Sequence, residues 1–111
     1  MESILNSIKK MLGIEPEDTS FDDEIIMHIN SAFMVLYQLG VGTADPFSIE
    51  DSKNTWDEFL VGKMNLNAVK SDIYLRVKLL FDSSTMTSAL ISEAHKEIDE
   101  LEWYLSHGAD H

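Results

Sequence analysis

The sequence predicts an all-α protein, a small helical bundle of about five helices, three long and two short, with one irregular loop at about 41–54. Three observations support this prediction. Apolar residues recur at three- and four-residue steps over three long segments, the spacing that gives a helix one buried face. Glycine and proline, which interrupt helices, are absent between Asn65 and Ser106. The length of 111 residues suits a single helical domain, taken as 1–111.

The first half of the chain should contain two helices separated by an acidic linker. Residues 2–12 form the first helix, which ends at Gly13 and has lysines in its last turn, where the helix dipole favours cations. The second helix runs from about 22 to 39 and ends at Gly40. Its candidate N-caps are Asp18, Thr19 and Ser20.

The second half should contain three more helices. They are predicted at Trp56–Val61, at about 65–81 and at about 85–106, with a turn at Asp82–Thr85. The short helix begins with a capping box, in which the Thr55 hydroxyl and the Glu58 carboxylate satisfy each other's backbone N–H groups. The last two helices should pair in antiparallel fashion, because 65–81 carries a net charge of +2 and 93–102 one of −4.

The segment 41–54 lacks a helical pattern and should be the irregular part of the chain. Phe47-Ser48-Ile49 alternates like a very short strand, and the nearby glycines permit sharp changes of direction. Because Phe47 and Ile49 have no helix to pack against, we expect this segment to be mobile in the free protein and ordered on assembly. Replacing both residues by Ser should then leave the melting temperature nearly unchanged and abolish assembly.

Composition and charge limit the classes of function. The net charge of −12 opposes binding to nucleic acid and to anionic membranes, so we expect no specific DNA binding. No apolar run approaches the roughly 18–20 residues that span a bilayer, so no membrane association is expected. The chain has no cysteine and no signal-peptide pattern at its start, which favours a soluble, intracellular protein without disulfides.

The patterns that would indicate a metal site or an active site are weak. Glu24 with His28, and His95 with Asp99, share helix faces, but solvent-exposed side chains explain both pairs. The Glu-x-x-His motif of helical di-iron sites does not occur. Neither a Gly-x-Ser-x-Gly motif nor a glycine-rich phosphate loop is present. The sequence therefore predicts no catalytic residue, no metal, no cofactor and no enzyme activity.

Two further patterns would point to nucleic acids. Asp51-Ser52-Lys53, with Asp45 upstream, resembles half of the carboxylate–lysine motif of many nucleases, yet its surroundings lack the sheet that such a site needs. Lys70, Arg76 and Lys78 form the one basic cluster and would suit the recognition helix of a helix-turn-helix protein. A solvated loop explains the first pattern, and the net charge of −12 opposes the second.

Apolar and aromatic side chains are the remaining candidates for function. Aromatic residues dominate binding hot spots, so a subset of them is predicted to anchor a partner or a second copy. The alternative, that they only cover the ends of the core, applies most strongly to Trp56 and Phe59. The residues predicted to make partner or oligomer contacts are Phe47, Ile49, Trp56, Trp103 and Tyr104.

Five blocks of the sequence carry a resemblance to a known family. They are Asp18-Thr-Ser-Phe-Asp-Asp-Glu-Ile-Ile-Met-His-Ile-Asn-Ser31, Gln38-Leu-Gly-Val-Gly42, Thr55-Trp-Asp-Glu-Phe59, Ile73-Tyr-Leu-Arg-Val-Lys-Leu-Leu-Phe-Asp82 and Glu100-Leu-Glu-Trp103. Their order and spacing, over about residues 10–105, resemble the head–tail connector (adaptor) family of tailed bacteriophages and prophages. The chain departs from the family pattern at Ser83-Ser84, where prolines are common, and at Tyr104, where Arg is frequent.

The resemblance implies a structural adaptor of the virion. In this family, copies of a small helical protein form a ring below the portal protein, extend the DNA channel and dock tail-completion proteins. The resemblance also implies a place at the head–tail interface of the virion, after synthesis in the cytoplasm of the host bacterium. An acidic channel wall would let DNA slide rather than bind. A different class remains open, namely a monomeric acidic helical regulator, such as a DNA mimic that blocks a DNA-binding protein.

Overall fold

The structure, a computed structural model, describes residues 2–41, 46–59 and 66–108. Within these ranges the chain forms five α-helices and one 3₁₀ turn, which confirms the all-α prediction. The elements are α1 (Ile4–Met11), α2 (Asp22–Gln38), α3 (Trp56–Phe59), α4 (Leu66–Asp82), the 3₁₀ turn (Ser83–Thr85) and α5 (Ser88–Gly108). The helix ends lie within three residues of the predicted ends wherever both are described, and Val61 lies outside the described residues.

The first two helices end as predicted, at glycines with a left-handed backbone. Gly13 has φ 82° and Gly40 has φ 79°, a conformation that side chains with a Cβ rarely adopt. After Gly40 the chain turns back, and the Val41 N–H donates to the Leu36 carbonyl at 2.9 Å. The same turn buries Val41, so the end of α2 is closed by both a hydrogen bond and an apolar contact.

Helices α2 and α3 begin at the predicted residues, but the cap of α2 and the start of α5 differ from the prediction. Thr87 caps α5, since its hydroxyl accepts from the Leu90 N–H at 3.2 Å, and α5 therefore starts later than expected. None of the three proposed N-caps of α2 serves that role: the helix follows Phe21, which makes no side-chain cap. Asp18 instead accepts from the Ser20 N–H at 3.1 Å and stabilises the turn before the helix.

Helix α4 lies at the centre of the fold and packs against α1, α2 and α5. The molecule measures 37 × 34 × 19 Å, and its short dimension corresponds to about two helix diameters. Helices α4 and α5 are joined by the 3₁₀ turn and pack along each other, which confirms the predicted antiparallel pair. Of the three basic residues on α4, Arg76 bridges to Glu102 on α5, whereas Lys70 pairs with Glu2.

The expectation that Phe47 and Ile49 have no helix to pack against is wrong. The segment around them is extended, with its side chains alternating inward and outward, but it pairs with no strand in the described structure. Asn30 of α2 takes the place of a neighbouring strand: its Nδ2 donates to the Ile49 carbonyl at 3.0 Å, and its Oδ1 accepts from the Ile49 N–H at 2.7 Å. Both apolar side chains consequently pack into the core.

Candidate functional site

Three of the five predicted contact residues lie inside the molecule. Trp56 is 1% exposed, and its indole N–H donates to the Ser7 hydroxyl at 2.8 Å. The half-buried Phe47 ring packs edge-on against Phe33, with ring centroids 4.9 Å apart. Ile49 is fully covered beside them. These side chains stabilise the core, which is the alternative that the sequence favoured for Trp56, and leave little of their own surface to a partner.

Trp103 and Tyr104 are the two predicted contact residues that face outward. Trp103 is 65% exposed and Tyr104 is 45% exposed, whereas the next residue, Leu105, is buried against the core. Trp and Tyr are enriched in binding hot spots, and here the two are neighbours in the sequence. The last turns of α5 are therefore the candidate interaction surface, defined here as the Trp103–Tyr104 surface.

An ion-pair network positions this surface on the bundle. Asp72 is fully buried on α4, and its Oδ1 accepts from the Arg76 Nε at 2.6 Å. The same guanidinium donates to the carboxylate of Glu102, the residue before Trp103. Burial raises the pKa of Asp72, more than the Arg76 hydrogen bond lowers it. The network ties α5 to α4 just before Trp103, since Arg76 of α4 contacts Glu102 of α5.

The rest of the predicted basic cluster is also neutralised within the chain. Lys70 pairs with Glu2 and lies over the Trp56 ring at 5.7 Å, and Lys78 pairs with Asp82 of its own helix at 3.4 Å. A recognition helix needs cations that are available to phosphates and bases. The arrangement therefore gives no support to the helix-turn-helix interpretation.

The proposed metal and nuclease patterns also resolve into local contacts. His28 Nε2 lies 3.9 Å from Glu24 Oε1, and no group of three or more His, Cys, Asp or Glu side chains suited to a metal is found in the described part of the chain. Asp51 accepts from the backbone N–H of Lys53 at 2.8 Å and forms a turn. Asp45 lies outside the described residues.

Sequence reasoning missed the buried cation Lys9. Its ammonium group is fully buried, donates to the carbonyls of Pro16 and Asp18 at 3.0 and 2.8 Å, and pairs with Asp22 Oδ1 at 2.8 Å. The signal was present, because Lys9 lies four residues after the buried Leu5 and so shares its helix face. The pattern of charges indicated only a lysine in the last turn of the helix, where the dipole favours cations.

Comparison with known proteins decides the family. The family model described as phage connector protein matches residues 4–111. The chain belongs to the phage connector protein family. Comparisons with curated proteins and with solved structures gave no significant match. The family is one of structural proteins of the phage particle, so this chain has a connector-type structural role and partners in phage head and tail assembly.

Three residues of the blocks that carry the family resemblance make contacts that hold the connector together. Asn30 fixes the extended segment, and the Glu58 carboxylate accepts from the Thr55 N–H at 2.5 Å, as one half of the predicted capping box. Arg76 links α4 to α5. In the described part of the connector, no helix is both long and apolar enough to cross a bilayer.

Proposed function

We propose that this connector is the adaptor of a tailed phage that forms a ring below the portal protein, extends the DNA channel and docks tail-completion proteins. The family match over residues 4–111 carries the proposal. A ring of identical copies uses one surface patch against a different patch on the next copy, so each subunit must present at least two contact surfaces.

The Trp103–Tyr104 surface is the first of these contacts in our proposal. Both rings are exposed, and both are rigid groups that bury a large area at a small entropic cost. The Arg76–Glu102 bridge holds the helix on which they lie, so the surface is pre-organised before a partner arrives.

The acidic face of α5 is our candidate for the channel wall. Glu93, Glu97 and Glu100 are exposed along it, and the chain as a whole carries a net charge of −12. A wall of negative charge repels the phosphate backbone and lets DNA pass without sticking. The proposed position of the protein is the head–tail interface of the virion.

The test is to mix the purified protein with its cognate portal and to examine the complexes by negative-stain electron microscopy and co-sedimentation. We expect a ring on the portal with the wild-type chain, and loss of co-sedimentation with Trp103→Ser plus Tyr104→Ser. Tyr37→Ser is the matched control, since Tyr37 is 38% exposed on α2 and outside the proposed surface.

Two results would contradict the proposal. A wild-type protein that remains monomeric beside a competent portal and instead binds a DNA-binding protein of the host would favour the acidic regulator. Equal loss of assembly in Tyr37→Ser and in the double variant would remove the Trp103–Tyr104 surface from the ring contacts.

A further inference from the structure

A groove with an apolar floor lies between α2, α4 and α5, and Glu102, the residue before Trp103, lines it. Its volume is about 360 Å³, at the lower end of the range for ligand sites. The floor is formed by the buried residues Ala32 and Ile98, and the apolar walls by Val35, Leu79 and Leu80. Leu80 is 55% exposed, so about half of its surface is accessible at the groove wall.

The polar rim of this groove is acidic. Asp99 is exposed on it, and Glu102 is half-buried. The one arginine of the rim, Arg76, already pairs with two carboxylates, Asp72 and Glu102, so its charge is neutralised. Of the charged residues of α5, Asp99 and Glu102 line the groove, with His95 beside them. An apolar side chain that enters the groove is thus best accompanied by positive charge.

We propose that the groove between α2, α4 and α5 binds a basic amphipathic helix of a partner protein, with an apolar side chain of that helix on Leu80 and a Lys or Arg against Asp99. This inference rests on the proposed assembly role and names the chemistry of one docking segment. A helix with apolar residues at three- and four-residue spacing would fill the groove while its cations face the rim. A second copy of this chain fits less well, because its own net charge of −12 is repelled by the rim.

The test uses the purified full-length chain and fluorescein-labelled model peptides in an anisotropy titration. The probe is a synthetic helix of about 15 residues, long enough for useful helicity, with Leu at three- and four-residue spacing and Lys elsewhere. A matched peptide carries Glu in place of Lys, and a third has the same composition in scrambled order. We expect binding of the basic amphipathic peptide alone, with an affinity that falls as salt is raised.

Two leucine variants separate groove binding from general charge attraction. Leu80→Ser should weaken binding roughly tenfold, because the apolar contact is lost from the groove wall. Leu90→Ser is the control, since Leu90 is equally exposed at 56% but does not line the groove. Circular dichroism confirms that both variants remain folded. The proposal is overturned if Leu80→Ser and Leu90→Ser bind the basic peptide with the same affinity. It is also overturned if the wild type binds the basic and the scrambled peptides equally well.

The outcomes also separate this inference from the assembly role. If the wild-type chain assembles on the portal but does not bind the basic peptide, the groove proposal fails and the adaptor function stands. If the peptide binds in the groove but no ring forms on the portal, the assembly role fails. If the chain self-associates and Leu80→Ser abolishes that association, the occupant is a second copy and the basic-helix proposal is wrong.

Discussion

The ammonium group of Lys9 joins three parts of the chain, namely α1, the linker that follows it and the first turn of α2. Removing a charge from water costs several kcal/mol, and here two carbonyls and the Asp22 carboxylate compensate for that cost. The predicted acidic first turn of α2 therefore has a second role beyond the helix dipole, since one of its carboxylates neutralises a buried cation.

Substitution of Lys9 should be strongly destabilising. We expect Lys9→Met to lower the free energy of unfolding by about 3 kcal/mol, because Asp22 and two carbonyls lose their partner. Lys10→Met is the control, since Lys10 is exposed on the same helix, and it should change stability by less than about 0.5 kcal/mol. Urea denaturation of the three proteins measures both effects, and equal effects would contradict the role of Lys9.

Asp72 makes stability depend on pH. Burial raises the pKa of Asp72 above its ordinary value of 3.8, so the folded chain holds this proton more tightly than the unfolded chain. The resulting contribution to stability is present in full below that ordinary value and is lost as the pH rises through the pKa of the folded state. A neutral residue at this position does not titrate and removes the dependence.

We therefore expect the difference in unfolding free energy between the wild type and Asp72→Asn to change with pH. The stability of the wild type relative to the variant should be higher at about pH 3 than at about pH 7. The reason is that Asp72 loses a proton between these pH values, whereas the asparagine of the variant does not titrate. Asp57→Asn, an exposed carboxylate on α3, is the control for the substitution itself. If the wild type instead becomes more stable than the variant as the pH rises, the Arg76 ion pair has a larger effect on the Asp72 carboxylate than its burial has.

At the scale of elements, the extended segment around Ile49 is part of the core and not a free loop. Its backbone is bound by the Asn30 amide at both ends of Ile49, and its side chains join an aromatic cluster that includes Phe33 and Phe59. The expectation that Ser at Phe47 and Ile49 would spare the melting temperature therefore reverses: the same substitutions should destabilise the fold.

Ile49→Ala should lower the free energy of unfolding by about 3 kcal/mol, since it removes most of a fully buried side chain. Ser48→Ala, at the adjacent outward-facing position, should have an effect below about 0.5 kcal/mol. Thermal or urea unfolding measures the pair of variants. A melting temperature unchanged in Ile49→Ala would show that the segment is not held against α2 in solution.

At the scale of the molecule, charge acts in two different ways. The described lysines of α4 and its arginine pair within the chain, so the basic residues stabilise the bundle instead of attracting a ligand. Most of the excess negative charge is left on the surface, where it repels nucleic acid and other copies of the chain. A self-assembling ring needs apolar and aromatic contacts that overcome this repulsion.

Local patterns in the sequence were enough to predict the helices. The all-α class, the ends of α1 and α2 at Gly13 and Gly40, and the Glu58 contact of the capping box depend on residues at most a few positions apart. The same is true of the antiparallel α4 and α5, because a short connection favours this arrangement and opposite charges add to it. The family resemblance could also be found from the sequence, since it depends on the order and spacing of the five blocks along the chain.

Only the tertiary structure decided which side chains became buried and which stayed available to partners. Lys9 is buried by residues that follow it in the chain, and Ile49 by residues that precede it. The spacing of apolar residues does not indicate that Asn30 of α2 will bind the extended segment. The same packing directs Trp56 inward and Trp103 outward, although the sequence alone treated both as contact candidates. The physical reason is that burial depends on which distant surfaces meet, whereas helix formation depends on neighbours along the chain.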